Sequence, residues 1–176
     1  ATYAFGNFQT TIGTDYFSGN DALDTTDQRN RAFNNLYGSG HGFYGSMDYF
    51  RTIDQHTNGG GLSDTYLKLG YHFSEKAYTE LAYHYFELAS RVIDRSYTGA
   101  GLKALDKSLG SELDLSFNYQ YSNNFTVKLG YSAMFAKRSM SAIKGGNHEA
   151  FANWGFIMFS FNPTVFVNNL ITNNNQ

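Results

Sequence analysis

The chain has 176 residues, of which 18% are aromatic and 16% are charged; its net charge is −2 and it contains no cysteine. This charge excludes the strongly basic surface of a nucleic-acid-binding protein, so no nucleic-acid partner is expected. Without cysteine there are no disulfides, no thiolate chemistry and no cysteine-type zinc sites. A mean hydropathy of −0.43, with no apolar run of about 20 residues, excludes a helical membrane protein.

Seven stretches alternate between apolar and polar side chains, and this period of two predicts β-strands. The predicted strands cover about 2–17, 43–54, 63–74, 78–91, 111–122, 125–138 and 150–162. Each reaches the roughly 9–11 residues that a tilted strand needs to cross a bilayer.

The clearest alternation lies in residues 110–131. In its first strand the odd-numbered residues from 113 to 121 are apolar, and the even-numbered residues from 112 to 120 are polar or charged. A transmembrane β-barrel, with lipid outside and water inside, has this pattern. The sequence therefore predicts an all-β fold: an antiparallel transmembrane β-barrel or a segment of one. A soluble β-sandwich is the less favoured alternative.

The predicted connections differ in length. Residues 74–77 and 122–124 form tight turns, whereas 18–42, 92–109 and 139–149 are long, polar and glycine-rich. Outer-membrane barrels have short periplasmic turns and long outer loops. Strict alternation nevertheless places 18–42 on the periplasmic side, so either this loop is a plug or gate, or one strand has been missed.

Two segments have a helical alternative. Residues 75–92 also place apolar side chains at helical spacing, although strand is favoured, and 102–109 fit a short helix within a loop. Seven strands are an odd number, and bacterial barrels have an even number. The chain is therefore either part of a larger barrel, which we favour, or gains an eighth strand from Thr164–Thr172. We assign 1–166 to the barrel segment and 167–176 to an Asn-rich, disordered tail.

Short motifs run in a fixed order through nearly the whole chain. They occupy 15–21, 31–37, 40–43, 45–50, 109–115, 130–132, 134–135 and 152–155. Over residues 5–166 their order and spacing resemble the C-terminal part of the alginate-export-like family of outer-membrane barrels. The resemblance implies a bacterial outer-membrane barrel of about eighteen strands, of which this chain holds the last seven or so, and an anionic polysaccharide as the transported molecule.

Alternation places ionisable side chains on the water-facing side of the strands: Asp15, Asp48, Asp64, Lys68, His72, Glu80, His84, Glu112, Asp114 and Lys128. With two arginines near strand ends, these supply the predicted saccharide-binding set: Arg51, Lys68, Lys128, Arg138, Asp48, Asp64, Glu112 and Asp114. Basic side chains attract carboxylates in anion pores, and acidic partners tune that field. The alternative is that they are solvated residues paired across strands, at about 0.2–1 kcal/mol per pair. Acidic residues outnumber basic ones on this face, which weakens the alginate assignment.

Aromatic residues near the strand ends are predicted to form interfacial girdles. They are Tyr16, Phe17, Tyr49, Phe50, Tyr71, Phe73, Tyr119, Tyr121 and Trp154. A saccharide-stacking surface or a soluble β-core is the competing interpretation. Most of these aromatics fall on the apolar face, whereas Phe17 and Phe50, together with Tyr66, fall on the lumen register and could contact sugar rings.

We expect no enzymatic activity and predict no catalytic residue, metal or cofactor. The histidines lie on different strands without metal-ligand spacing, and neither a nucleophile elbow nor a phosphate-binding loop occurs. The expected function is a porin-like outer-membrane channel for a polar, anionic saccharide. Its partners would be membrane lipid and lipopolysaccharide, the polysaccharide, and missing barrel strands or other envelope subunits. The alternative is a small structural barrel that tethers envelope partners through its loops.

Overall fold

The computed structural model describes residues 1–27, 29–35 and 42–163. These residues form one sheet of seven antiparallel strands, each paired with its neighbours in chain order. The strands are β1 (Thr2–Phe5), β2 (Phe8–Phe17), β3 (Leu62–Ser74), β4 (Ala77–Leu88), β5 (Ser108–Ser122), β6 (Phe125–Ala136) and β7 (Ala152–Phe161). Two short helices, α1 (Ile53–His56) and α2 (Arg138–Lys144), lie in the connections. The predicted all-β antiparallel fold is confirmed.

The first predicted strand, 2–17, is wrong because it is a hairpin. Phe5 pairs with Phe8 across a turn formed by Gly6 and Asn7, and Gly6 has a φ of 55°. Glycine and asparagine adopt positive φ most readily, and this dipeptide between alternating strands is a hairpin signal. The sequence signal was therefore present but overlooked.

The second predicted strand, 43–54, is also wrong. Its residues form turns followed by α1. Gly42, Gly45 and Asp48 have φ angles of 71°, 77° and 59°, which interrupt an extended backbone. The two errors cancel in the strand count, which is why seven strands were predicted and seven are found.

These two corrections remove the conflict over loop placement. The short turns, 6–7, 75–76 and 123–124, all lie at one end of the sheet, which we call the turn end. The long connections, which join β2 to β3, β4 to β5 and β6 to β7, begin and end at the other, the loop end. The described residues 18–27 and 29–35 thus leave β2 at the same end as the other long connections, and the expected periplasmic position of 18–42 is not supported.

The remaining strand predictions hold to within a few residues. The favoured strand over 75–92 is confirmed by β4, which ends at Leu88. No helix occurs in 102–107, where Ala104 instead forms an isolated bridge with Ile93. The eighth strand at 164–172 and the tail at 167–176 lie outside the described residues.

The two faces of the sheet differ in chemistry. Directly opposed residues of an antiparallel pair share a face, and the register separates apolar from polar side chains. Large exposed apolar side chains occupy what we call the outer face on all seven strands: Tyr3, Phe5, Phe8, Ile12, Tyr16, Leu67, Leu69, Phe73, Leu81, Tyr83, Leu115, Tyr119, Tyr121, Leu129, Tyr131, Phe135, Ile157, Phe159 and Phe161. The opposite, inner face carries the polar residues. Within the described ranges, no helix is long and apolar enough to cross a membrane.

Four of the predicted girdle aromatics are not on the outer face, and for Phe17 this agrees with the lumen register predicted from alternation. Phe17 and Trp154 have inner-face register, and Tyr49 and Phe50 lie in the connection between β2 and β3. The remaining five, Tyr16, Tyr71, Phe73, Tyr119 and Tyr121, have outer-face register.

A hydrophobic cluster packs on the inner face at the loop end. Its buried members are Phe50, Ile53, Leu62, Phe86, Leu88, Val92, Leu105, Leu109, Met134 and Met140. They come from the loop-end portions of four strands, β3 to β6, and from three connections, so the cluster fixes the long connections to the sheet. Phe50 and Phe86 are at its centre, with ring centroids 4.7 Å apart.

Candidate functional site

Five polar residues are buried on the inner face, next to the hydrophobic cluster. They are Asp64, His84, Glu112, Asp114 and Ser132, each at most 8% exposed. Cross-strand pairing brings them together, because His84 lies opposite Glu112 and Asp114 lies opposite Ser132. Buried polar groups require hydrogen-bond partners, so each contact here matters for stability.

Asp64 and His84 form a buried pair across β3 and β4. The His84 Nδ1 atom lies 2.8 Å from Asp64 Oδ2 and 3.0 Å from Oδ1. A carboxylate only accepts hydrogen bonds, so Nδ1 carries the proton in this contact. Tyr66 and Phe86 flank the imidazole, each with its ring centroid 5.7 Å away. The pair is therefore held on both sides by aromatic rings.

Glu112 and Asp114 anchor residues 42–57, which we call the inward segment. The backbone N–H of Met47 donates to Glu112 Oε1 at 2.8 Å, and that of Ser46 donates to Asp114 Oδ2 at 3.2 Å. At Gly45 a Cβ atom would overlap the Glu112 carboxylate. Glycine is required there both by this close approach and by its positive φ. The inward segment thus lies directly on the inner face.

The same two carboxyl groups leave one oxygen each without a donor. Glu112 Oε2 and Asp114 Oδ1 are buried and accept no hydrogen bond from the described residues. The side chains are two positions apart on one face of β5 and are in contact. A protonated carboxyl group can donate as well as accept. One proton between them would therefore satisfy both oxygens.

Packing also anchors the inward segment. Phe50 and Ile53 are fully buried in the hydrophobic cluster. The Lys144 Nζ atom of α2 lies 5.5 Å from the centre of the Phe50 ring, and burial lowers the pKa of Lys144 to about 8. Hydrogen bonds and apolar contacts thus hold the segment from two sides.

A cavity of about 330 Å³ opens on the inner face, which we call the inner-wall pocket. It borders the inward segment and reaches β7. Its lining includes Lys68, Glu80, His84, Asp114, Ser116, Lys128, Ser132, Trp154, Phe156 and Met158. The pocket combines hydroxyl, carboxylate and ammonium groups with two aromatic rings on one wall. Such a lining binds a polar ligand that has a flat or apolar side.

Six members of the predicted saccharide-binding set lie on or against the inner face. Lys68, Lys128 and Asp114 line the inner-wall pocket. Asp64 and Glu112 are buried beside it. Asp48 belongs to the inward segment, where Gly42 donates its N–H to Asp48 Oδ1, and not to a strand as predicted.

The two predicted arginines lie elsewhere. Arg51 is an exposed residue of the inward segment rather than a strand end, because 43–54 is not a strand. Arg138 begins α2 and pairs with Asp94 at 2.9 Å while donating to the Ser96 hydroxyl at 2.7 Å. Hydrogen bonds from Ser96 and from the Arg138 guanidinium lower the pKa of Asp94 to about 2. Arg138 therefore fastens one long connection to another.

Sequence reasoning missed the aromatic wall of the pocket. The predicted girdle includes Trp154, and the predicted water-facing set does not include Phe156. The cross-strand register assigns both rings to the inner face, since Trp154 lies opposite Ser132 and Phe156 lies opposite Gly130. Ser132 itself occupies the polar register of β6 next to Asp114. Among the described residues, no group of three or more metal-ligand side chains occurs.

Comparisons with protein-family models, with curated proteins and with solved structures give no match to this chain. The resemblance to the alginate-export-like family therefore rests on the sequence motifs alone. The functional argument depends on the geometry of the two faces of the sheet.

Proposed function

We propose that this chain forms part of the wall of an outer-membrane β-barrel channel that passes a polar saccharide. The observation that carries the proposal is the outer face, on which large apolar side chains are exposed along all seven strands. Soluble monomers rarely expose contiguous apolar patches larger than a few hundred Å². Lipid is the environment in which such a face is stable, and water on the inner face suits the polar residues there.

The arrangement of connections supports the same proposal. Short turns at one end and long connections at the other are typical of outer-membrane barrels, whose turns face the periplasm. Residues 18–27, 89–107 and 137–151 would then lie at the cell-surface end, and the inward segment would fold from that end onto the inner face. Pairs of a glycine with an aromatic ring on the neighbouring strand also support a curved sheet. A Cβ atom at Gly13, Gly70 or Gly130 would overlap a ring of the neighbouring strand, and such pairs accompany sheet curvature.

The two edges of the sheet require further strands. In an antiparallel meander of seven strands, β1 and β7 run in the same direction, so they cannot close on one another by antiparallel pairing. An unpaired edge in lipid costs several kcal/mol per backbone group. An odd number of added strands, from elsewhere in the protein or from another chain, would complete an even-stranded barrel. The family resemblance favours a large barrel of about eighteen strands.

The inner face sets the class of molecule that passes. It offers carboxylates from Asp15, Glu80 and Asp114 and ammonium groups from Lys68 and Lys128. These groups exchange hydrogen bonds with saccharide hydroxyls, and the two lysines also attract carboxylates. A preference for an anionic saccharide follows from the resemblance, and we include it in the proposal.

Conductance in planar bilayers tests the channel. We expect the complete assembly extracted from its membrane to give stable ion-conducting steps. The double variant Lys68→Gln/Lys128→Gln should move the reversal potential in a salt gradient towards cation selectivity, because two positive charges leave the inner face. The matched control, Lys76→Gln/Lys103→Gln, removes the same charge from a turn and a long connection and should change selectivity little. An assembly that inserts into the bilayer but conducts no ions would contradict the proposed channel function.

A structural barrel that tethers envelope partners is the second candidate. The observation that favours it is the packed loop end of the inner face, where Phe50 and Ile53 are fully buried. A barrel whose remaining strands are packed in the same way would have no open path. The conductance measurement separates the two candidates, since the tether predicts insertion without ion flow.

A further inference from the structure

An aromatic platform forms one wall of the inner-wall pocket. The Phe156 ring lies against Gly130, where any side chain would overlap it. Trp154 stacks on Phe156 with ring centroids 4.9 Å apart and an interplanar angle of 29°. Trp154 is 43% exposed, so part of its indole remains open to the pocket. The glycine thus allows two rings to lie along the wall instead of filling the pocket.

Polar groups of both signs surround this platform. Lys128 lies above Phe156, with Nζ 5.8 Å from the ring centre, and Lys68 lines the same pocket. Asp114 lines the pocket at 8% exposure, and its Oδ2 atom accepts one N–H, from Ser46, and retains acceptor capacity. Glu80 accepts a hydrogen bond from Tyr78 and retains acceptor capacity. Two ammonium groups and two carboxylates therefore balance in charge.

We propose that the inner-wall pocket is a binding subsite for one pyranose unit of the passing saccharide. The apolar side of the sugar ring stacks on Trp154, and its hydroxyls exchange hydrogen bonds with Asp114, Ser132 and Lys128. A volume of about 330 Å³ lies at the lower end of the range of about 300–1,000 Å³ for small-molecule sites. The inference rests on the proposed function, and it adds a discrete binding step on the channel wall.

The charge balance also predicts the selectivity of this subsite. A site that selects acidic sugars needs an excess of positive charge, and the two lysines here are offset by Glu80 and Asp114. Recognition then depends on ring stacking and on hydroxyl groups. Neutral and acidic pyranoses should therefore bind this subsite with dissociation constants within about threefold of each other, since rim charges largely cancel, and the proposed anionic preference of the channel would arise outside this subsite.

Tryptophan emission tests the subsite directly, because Trp154 is the single tryptophan of this chain. The complete assembly in detergent is titrated with maltotriose as a neutral probe and trigalacturonate as an acidic one. Subtraction of the Trp154→Phe emission isolates the Trp154 signal even in a larger assembly. We expect a saturable change in that signal with both probes.

Two glycine variants provide a matched pair. Gly130→Ala pushes the Phe156 ring off the wall and should weaken binding about threefold to tenfold, the size of one lost aromatic contact. Gly155→Ala, beside Trp154, places its methyl group at ordinary contact distances of 3.5 Å and should leave binding unchanged. Phe156→Leu, which retains Gly130, is a second variant should Gly130→Ala fail to fold.

The outcomes separate the subsite from the channel. If an assembly that conducts ions shows no saturable Trp154 response, the proposed subsite is wrong and the proposed channel function is unaffected. A response in an assembly that does not conduct supports the subsite and rejects the channel. Equal weakening by Gly130→Ala and Gly155→Ala, or an acidic preference above about tenfold, would contradict the proposed platform and its charge balance.

Discussion

Replacement of Phe50 by alanine is expected to release the inward segment from the inner face. Phe50 is fully buried against Phe86 at the centre of the hydrophobic cluster. Loss of a buried phenylalanine costs about 3–5 kcal/mol, part of it from the cavity left behind. Because the segment lies across the inner face, its release should also enlarge the ion path. We expect lower unfolding free energy in urea and larger conductance steps in bilayers.

Phe43 provides the control for this prediction. It belongs to the same inward segment but is 63% exposed, so Phe43→Ala should change stability by a few tenths of a kcal/mol. The same two measurements apply to both variants. Equal unfolding free energies for the Phe50 and Phe43 variants would contradict the packing described, and unchanged conductance after Phe50→Ala would show that the segment does not restrict the path.

Replacement of His84, which is paired with buried Asp64, is expected to have the second large effect on stability. Asp64 is fully buried, and His84 supplies the only hydrogen bonds that its carboxylate receives from described residues. Removal of one partner from a buried pair costs roughly 3–5 kcal/mol, because the other charge remains without compensation. His84→Ala should therefore lower the unfolding free energy by about that amount, measured by urea denaturation in liposomes.

A double-mutant cycle separates this charge effect from lost packing. In Asp64→Asn/His84→Ala no buried charge remains, so the double variant should be more stable than His84→Ala alone. His72→Ala is the matched control, since His72 lies exposed on the same face of β3. Strictly additive single effects would show that the pair contributes through packing only.

The alternating pattern was sufficient to place most of the sheet. From β3 to β7 the polar and apolar registers follow directly from the residue types, so Lys68, Asp114 and Lys128 were placed on one face correctly. Period-two patterning carries this information because successive side chains point to opposite faces. The hairpin at Gly6 and Asn7 was equally readable, through its turn residues.

The conformation of the inward segment could not be predicted from its local sequence. Residues 43–50 alternate much as a strand does, so the local pattern favoured a strand there. What decides their conformation lies 65 to 68 positions away, in the carboxylates that receive the N–H groups of Met47 and Ser46. Contacts of that separation depend on the completed sheet. For the same reason the pocket, built from β3 to β7, could not be assembled beforehand.

The central claim is that the outer face contacts lipid while the inner face contacts water. Because the chain has no cysteine, single cysteines can be introduced at 115, 116, 117 and 118 of β5 and spin-labelled in liposomes. Accessibility to molecular oxygen, which concentrates in lipid, is compared with accessibility to a water-soluble nickel chelate. We predict that labels replacing Leu115 and Phe117 favour oxygen and that labels replacing Ser116 and Asn118 favour nickel. Labels at all four positions that favour the nickel chelate would contradict the account.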